Sequence, residues 1–149
     1  MKLEEIKTVS VIGAGIMGHG IAQSFLMGGY PVRLYDIEQG VLDGARAHIR
    51  QNMELFSRHG LLRKEDIAPC LERLITTTDL SEAVKESQFI TEAAPENLDL
   101  KQSLFESVEK LCPKDAIIAS NTSSLTLAKI GTRVQAKERL VTTHWFNPP

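Results

Sequence analysis

Short apolar segments rich in β-branched residues alternate with longer amphipathic segments along the chain. Apolar runs of four or five residues between turn residues are typical of strands that are buried on both faces. Six segments are therefore predicted as strands: residues 8–12, 32–35, 75–78, 89–93, 116–119 and 140–143.

The longer segments repeat their apolar residues every three or four positions, which predicts helices. In the longest of them, residues 38–59, the apolar face includes Leu42, Ala45, Ile49 and Met53. Helices are predicted over residues 16–27, 38–59, 64–74, 80–85 and 98–111, with a short last helix that ends at Gly131.

Strands that alternate with helices favour an α/β fold, a doubly wound and mostly parallel sheet of the Rossmann type. Because two helices fall between the second and third strands, we expect a helical hairpin inserted there, which either packs on the sheet or faces a substrate. The 149 residues suit one domain that spans the chain.

Composition narrows the classes of function. Hydrophobic residues make up 42% of the chain and the net charge is −2, so no basic surface for nucleic acid is expected. Cys70 and Cys112 are too few for a disulfide framework and match no metal-site spacing, so we expect no metal and a reducing compartment. The cytoplasm fits best, or the mitochondrial matrix in a eukaryote, although this chain shows no transit peptide.

Residues 8–32 carry no charged side chain and are long enough for a membrane-spanning helix. Their glycines and Pro31 argue against such a helix. Two glutamates precede the first apolar run, which argues against a signal peptide. We therefore expect no membrane association.

A glycine motif, V-I-G-A-G-I-M-G at 11–18, ends the first strand and opens the first helix. Gly13 permits the tight turn, Gly15 lets a pyrophosphate approach the backbone, and Gly18 allows close helix packing. Free N–H groups at the helix start attract phosphates. The predicted dinucleotide loop comprises Gly13, Ala14, Gly15, Ile16, Met17 and Gly18.

Asp36 ends the second strand, where an acid can accept hydrogen bonds from the adenosine ribose and repel a 2′-phosphate. This favours NAD over NADP. Arg33 could accommodate that phosphate, but it lies three residues earlier and should point to the opposite face. The alternative is that these glycines merely close a turn in another α/β protein. No G-x-x-x-x-G-K-[ST] motif is present to favour ATP or GTP.

Polar residues follow the last three strands, at 92–97, 121–124 and 144–147. His144 could take a proton from an alcohol while a hydride leaves the same carbon, and Ser123 could hydrogen-bond the alcohol oxygen.

Structural interpretations also stay open. Ser123 or Ser124 could cap a helix, His144 could be structural, Asn147 could form a turn, Glu96 could sit beside a helix cap and Lys101 could be solvated. A serine hydrolase is disfavoured because no G-x-S-x-G motif surrounds Ser123.

Together, five motifs resemble the L-3-hydroxyacyl-CoA dehydrogenase family, which includes the 3-hydroxybutyryl-CoA dehydrogenases. They are V-I-G-A-G-I-M-G at 11–18, Y-D at 35–36, E-A-A-P-E-N at 92–97, S-N-T-S-S-L at 120–125 and H-W-F-N-P-P at 144–149. The resemblance covers the whole chain. It implies NAD-dependent oxidation of an (S)-3-hydroxyacyl-CoA to the 3-ketoacyl-CoA, in fatty-acid β-oxidation or butyrate metabolism.

The resemblance also implies roles for single residues. His144 matches the catalytic histidine, Ser123 the serine that contacts both substrate and nicotinamide, and Asn147 the asparagine near the nicotinamide. Glu96 and Lys101 match cofactor-contacting positions.

Substrate contacts are implied in the same way. Asn121 matches the asparagine before the serine. The family contacts coenzyme A through a serine and a lysine on the long helix after the acid; Asn52 stands near the serine position, and Arg58 with His59 near the lysine. Asn52 and Arg58 are therefore the candidates on this helix.

Two family features are missing from the sequence: a glutamate beyond the histidine motif, and a helical C-terminal domain that completes the cleft and forms the homodimer. We expect an N-terminal domain that binds NAD but turns over little or no substrate, since an orienting carboxylate raises the basicity of a histidine.

Other functions stay open. A relative that oxidises a free hydroxy acid or sugar acid, such as L-gulonate, would share much of this pattern. A non-catalytic NAD-binding protein would not need Ser123, His144 and Asn147 together. A short-chain dehydrogenase is disfavoured, because neither Tyr30 nor Tyr35 is followed by lysine four residues later.

Overall fold

A six-stranded sheet runs through the middle of the computed structural model, which describes residues 2–146. Every neighbouring pair of strands is parallel, and the order is β3-β2-β1-β4-β5-β6. The strands are β1 (Val9–Ile12), β2 (Val32–Tyr35), β3 (Leu74–Thr77), β4 (Phe89–Glu92), β5 (Ile117–Ser120) and β6 (Leu140–Thr142). This order confirms the predicted doubly wound fold of the Rossmann type.

Helices cover both faces of the sheet. They are α1 (Ile16–Met27), α2 (Gln39–Arg58), α3 (Ile67–Glu72), α4 (Leu80–Val84), α5 (Leu98–Leu111) and α6 (Leu127–Ile130). Successive residues of β1 serve opposite faces: Val11 packs with α1, α2 and α3, and Ile12 with α4, α5 and α6. Within residues 2–146, none of these helices has the length and apolar character needed to cross a membrane.

The predicted hairpin after β2 is confirmed, since α2 and α3 both pack on the core of one sheet face. Its second helix differs from the prediction of 64–74. Lys64–Asp66 forms a 3₁₀ turn, and α3 begins at Ile67, which places Pro69 in the first turn where its missing N–H is tolerated. Leu74 is not helical, because it is buried and pairs with Val32 of β2.

The carboxyl ends of four strands lie side by side. The N–H of Ala93 donates to the carbonyl of Ile12 at 2.7 Å, and that of Asn121 to the carbonyl of Glu92 at 2.8 Å. The N–H of Thr143 donates to the carbonyl of Ser120 at 3.0 Å. The loops after β1, β4, β5 and β6 therefore start at one edge, next to the reversal of strand order where ligands bind in such sheets.

Candidate active site

Two glycines of the loop after β1 occupy positions that no other residue fits. Gly13 has φ +94°, and a Cβ there would lie 2.7 Å from the carbonyl oxygen of Ala93. A Cβ on Gly18 would lie 1.7 Å from the carbonyl oxygen of Gly13. The loop thus folds back on the first turn of α1, as the tight-turn and close-packing roles predict.

Gly15 differs from these two because its surroundings are open: no atom lies within 4 Å of a Cβ built there. No side chain in the described part of the protein caps α1. The N–H groups of the first turn, including those of Ile16 and Met17, are therefore available to donate hydrogen bonds to a ligand. Ala14, Gly15 and Ile16 line a cavity of about 250 Å³. Open space and free donors fit a pyrophosphate at this helix end.

Asp36 lies beside the same loop. Its Oδ2 accepts the N–H of Ala14 at 2.8 Å, and its Oδ1 accepts the N–H of Glu38 at 3.2 Å. A carboxylate has further lone pairs, so ribose hydroxyls could still bind. Arg33 points away, as predicted, and forms an ion pair of 2.6 Å with Glu86.

Ser123 and His144 meet although they follow different strands. Ser123 Oγ lies 3.0 Å from His144 Nε2, and both side chains are exposed. Asn121, predicted to face the substrate, accepts the N–H of Trp145 at 2.8 Å through its Oδ1 and so holds the segment that carries His144. Trp145 in turn packs against Phe25 of α1.

The structure rules out two of the purely structural interpretations. Thr126 is the N-cap of α6, so neither Ser123 nor Ser124 caps that helix. Lys101 is only 1% exposed, so it is not a solvated helix residue. Asn97 caps α5, and Glu96 precedes this cap as the alternative supposed, but its carboxylate has other partners.

Glu96 anchors the loop after β5. Its Oε1 accepts hydrogen bonds from the hydroxyl of Thr122, the N–H groups of Ser123 and Ser124, and the hydroxyl of Ser124. Burial raises the pKa of Glu96, but these hydrogen bonds and the charge of Lys101 outweigh burial and lower the pKa to about 2. Glu96 is therefore a carboxylate at any physiological pH.

Beneath Glu96 lies a buried ion pair. Lys101 Nζ donates to Glu92 Oε1 at 2.5 Å and to the carbonyl of Ala94 at 3.1 Å, and it lies 3.3 Å from Glu96 Oε2. Glu92 also accepts the N–H of Ala94 and, through Oε2, the hydroxyl of Ser120 at 2.6 Å. Lys101 is therefore buried, and it is connected to the candidate cofactor site through Glu96.

Sequence reasoning missed some residues of this region. Glu92 and Thr122 lie within the quoted motifs but receive no role from the sequence, although a charged residue that ends an apolar strand is a usable signal for the former. His19 and His48 also line the small cavity beside Gly15, with ring centroids 5.2 Å apart. Nothing in the glycine motif indicates these two histidines, because they come from different helices.

The two coenzyme A candidates on α2 do not lie together. Asn52 and Arg58 are six residues apart, which separates them by about 120° around the helix axis. Arg58 lines a cavity of about 670 Å³ between α2 and α3, together with Arg46 and Arg50. Asn52 lies one turn beyond His48 and so shares the side of α2 that faces the glycine loop.

Asn147, predicted to lie near the nicotinamide, is outside the described residues. Among residues 2–146, no group of three or more His, Cys, Asp or Glu side chains is arranged to hold a metal ion.

The chain is similar in sequence to known dehydrogenases and multifunctional proteins. The sequence model of the family described as "3-hydroxyacyl-CoA dehydrogenase, NAD binding domain" matches residues 8–149. The peroxisomal fatty acid β-oxidation multifunctional protein MFP2 of Arabidopsis thaliana is 35% identical over 97% of this chain and 20% of its own length. The 3-hydroxyadipyl-CoA dehydrogenase of Escherichia coli is 36% identical over 96% of this chain and 30% of its own length.

Among solved structures, the crystal structure of 3-hydroxybutyryl-CoA dehydrogenase from Escherichia coli K12 superposes with a TM-score of 0.91 and 35% identity. The alignment covers 96% of this chain and 30% of that one. The chain therefore spans 20% to 30% of the length of these three relatives. With the family model matching nearly all of its residues, the chain belongs to the NAD-binding domain family of the 3-hydroxyacyl-CoA dehydrogenases.

Proposed function

We propose that this chain is the part of an NAD-dependent (S)-3-hydroxyacyl-CoA dehydrogenase that binds NAD and carries the catalytic Ser123–His144 pair. The observation that supports this most is the 3.0 Å contact between Ser123 Oγ and His144 Nε2. The pair lies at the same sheet edge as the open glycine loop, so an alcohol held by it would lie beside a bound nicotinamide.

The chemistry follows from the two side chains. Bound NAD supplies a hydride acceptor. His144 Nε2 takes the proton of the 3-hydroxyl as the hydride leaves C3, so the alcohol becomes a ketone and the imidazole becomes an imidazolium. Ser123 Oγ hydrogen-bonds the substrate oxygen and keeps it within reach of His144.

Preference for NAD over NADP rests on Asp36, whose carboxylate would face a 2′-phosphate, while Arg33 is held by Glu86. Titration of this chain with NADH and NADPH, followed by nicotinamide fluorescence, should give an affinity at least about tenfold higher for NADH. Equal affinities would contradict the role of Asp36.

The substrate class is proposed from the relatives, whose names specify acyl-CoA substrates. In the complete protein we place acyl-CoA contacts at Ser123, Asn121, Asn52 and Arg58, and we propose that this protein forms a homodimer. The cytoplasm stays our proposed location.

The chain alone should be a slow catalyst. Within residues 2–146, the hydrogen-bond partner of the His144 ring is Ser123, and no carboxylate contacts the imidazole. A histidine without an orienting carboxylate is a poorer base. Near-normal steady-state turnover by the 149-residue chain would contradict this proposal.

The test is NADH formation by the complete protein with (S)-3-hydroxybutyryl-CoA, longer 3-hydroxyacyl-CoAs and L-gulonate. We expect kcat/KM for an acyl-CoA to exceed that for L-gulonate at least about a hundredfold, since L-gulonate lacks the coenzyme A groups that Asn52 and Arg58 are proposed to contact. Greater activity with L-gulonate would favour the sugar-acid branch. NADH binding without turnover of any alcohol would favour a non-catalytic protein.

A further inference from the structure

We propose that Glu92 is a positioning residue for the Ser123–His144 pair, and that it acts through Lys101 and Glu96. The inference deepens the proposed function and rests on it. Glu92 itself is fully buried at the end of β4, and its carboxylate hydrogen-bonds Lys101, Ala94 and Ser120 but neither Ser123 nor His144.

Burying a carboxylate is unfavourable unless hydrogen bonds and a counter-charge compensate its lost hydration. Both oxygens of Glu92 are compensated. Oε1 accepts from Lys101 Nζ at 2.5 Å and from the N–H of Ala94 at 2.6 Å, and Oε2 accepts from the hydroxyl of Ser120 at 2.6 Å. Such a fully satisfied group fixes its neighbours in one arrangement.

Lys101 lies between two carboxylates, and it is bound unequally. Its Nζ is 2.5 Å from Glu92 Oε1 but 3.3 Å from Glu96 Oε2. Glu92 therefore provides the principal counter-charge for the buried ammonium. Glu96 meets Lys101 through Oε2, and its other oxygen, Oε1, accepts the donors of the loop after β5.

The loop that Glu96 holds is the one that places Ser123 Oγ beside His144. A continuous set of contacts therefore runs from the core, through Glu92, Lys101 and Glu96, to the catalytic pair. A second connection uses the backbone only: the carbonyl of Glu92 accepts the N–H of Asn121. A side-chain substitution at Glu92 leaves that backbone connection in place and changes only the contacts of the carboxylate, with Lys101, with the N–H of Ala94 and with the hydroxyl of Ser120.

Glu92→Gln keeps the shape of the side chain and removes its charge. Lys101 would then keep a single carboxylate partner, Glu96, and would draw it away from the N–H groups of Ser123 and Ser124. The expected consequence is a loop that opens more often and a serine that spends less time beside His144.

Amide hydrogen exchange of the ¹⁵N-labelled chain, without any ligand, measures how often this loop opens. In Glu92→Gln, exchange of the Ser123 and Ser124 amides should accelerate about tenfold relative to the amides of α2, the size expected for a lost bond to a charged group. The matched control is Glu109→Gln. Glu109 is a largely buried carboxylate, with 13% of its side chain exposed, and it is paired with Arg139 at 3.5 Å, but its other partners are the N–H groups of Gln135 and Ala136. This control should lose stability and leave the Ser123 and Ser124 amides unchanged.

In the complete enzyme, Glu92→Gln should lower kcat about tenfold, while KM for the acyl-CoA changes less than about twofold, because the acyl-CoA contacts proposed at Asn52 and Arg58 lie on α2 and remain. A general loss of folding would instead lower the amount of active enzyme and affect Glu109→Gln equally.

Ser120→Ala provides a milder variant if Glu92→Gln does not fold. It removes one hydrogen bond from Glu92 Oε2 and keeps the charge, so exchange at Ser123 and Ser124 should rise only about threefold. The inference is overturned if these amides exchange at the wild-type rate in folded Glu92→Gln. If Glu92→Gln does not fold, the same result in Ser120→Ala overturns it. Failure of the wild-type protein to bind NADH or oxidise any alcohol would instead overturn the proposed function, since the exchange experiment needs neither.

Discussion

The two halves of the candidate site are built in different ways. The dinucleotide half is formed by contiguous backbone, residues 13–18, whose shape is imposed by steric contacts of Gly13 and Gly18. The catalytic half joins side chains from the loops after β4, β5 and β6, which are held by hydrogen bonds and buried charge. The first half should therefore respond to added volume, and the second to loss of a charge or of a single donor.

The largest expected effect lies in the catalytic half. His144→Gln removes the proton acceptor, so kcat of the complete enzyme should fall about a thousandfold. The affinity of this chain for NADH should change less than about twofold, because the glycine loop is untouched. Steady-state kinetics and an NADH titration measure the two numbers. A parallel loss of NADH affinity would show that the halves are not separable.

In the dinucleotide half, Gly18→Ala should destabilise the fold by about 3 kcal/mol, because its Cβ overlaps the carbonyl oxygen of Gly13. Gly15→Ala is the matched control, since its Cβ meets no atom within 4 Å and should cost about 1 kcal/mol or less. Urea unfolding of both variants gives the difference. Equal stabilities would contradict the steric explanation.

Glu96→Gln should show a pH-dependent loss of stability. The pKa of Glu96 in the folded state, about 2, lies below its ordinary value of 4.5, so its charge stabilises the fold above pH 4.5 and this is lost as the pH falls towards 2. Since the side chain is 38% exposed, we discount the effect for solvent screening to about 1 kcal/mol at neutral pH.

Urea unfolding of the wild type and Glu96→Gln at neutral pH and near pH 3 checks this. The stability difference between the two proteins should shrink to less than half at the acid pH. A difference that stays constant would mean that the carboxylate charge is not what holds the loop.

The smallest effect is expected outside both halves. Gly40 lies in the first turn of α2, where a Cβ meets nothing within 4 Å. Gly40→Ala should raise stability by about 0.5 kcal/mol through the better helix propensity of alanine. A lower melting temperature for Gly40→Ala would show that steric constraints on glycine also act outside residues 13–18.

The comparison also explains what the sequence could predict. The glycine loop and Asp36 are close in sequence and their spacing reflects local geometry, so the sequence alone places them at the ends of β1 and β2. The strands and most helices followed from apolar spacing. The split before α3 was missed because a helical pattern continues through Leu74, whereas pairing with Val32 decides the structure there.

The catalytic half was predicted only in part, because its contacts join residues far apart in the chain. Ser123 and His144 could be named from their motifs, but their 3.0 Å contact depends on the sheet order. The roles of Glu92 and Thr122 could not be derived, since burial of Lys101 is a property of the packed α5 helix. The side of α2 on which Arg58 lies was likewise set by packing against α3.

The central claim is that the two halves form one NAD site. Titration of the ¹⁵N-labelled chain with NADH, followed by amide chemical shifts, tests it most directly. We predict saturable shifts at Gly13–Gly18, at Asp36 and at Ser123 and Ser124, with the amides of α3 unchanged. Shifts confined to the glycine loop, or none at all, would contradict the claim.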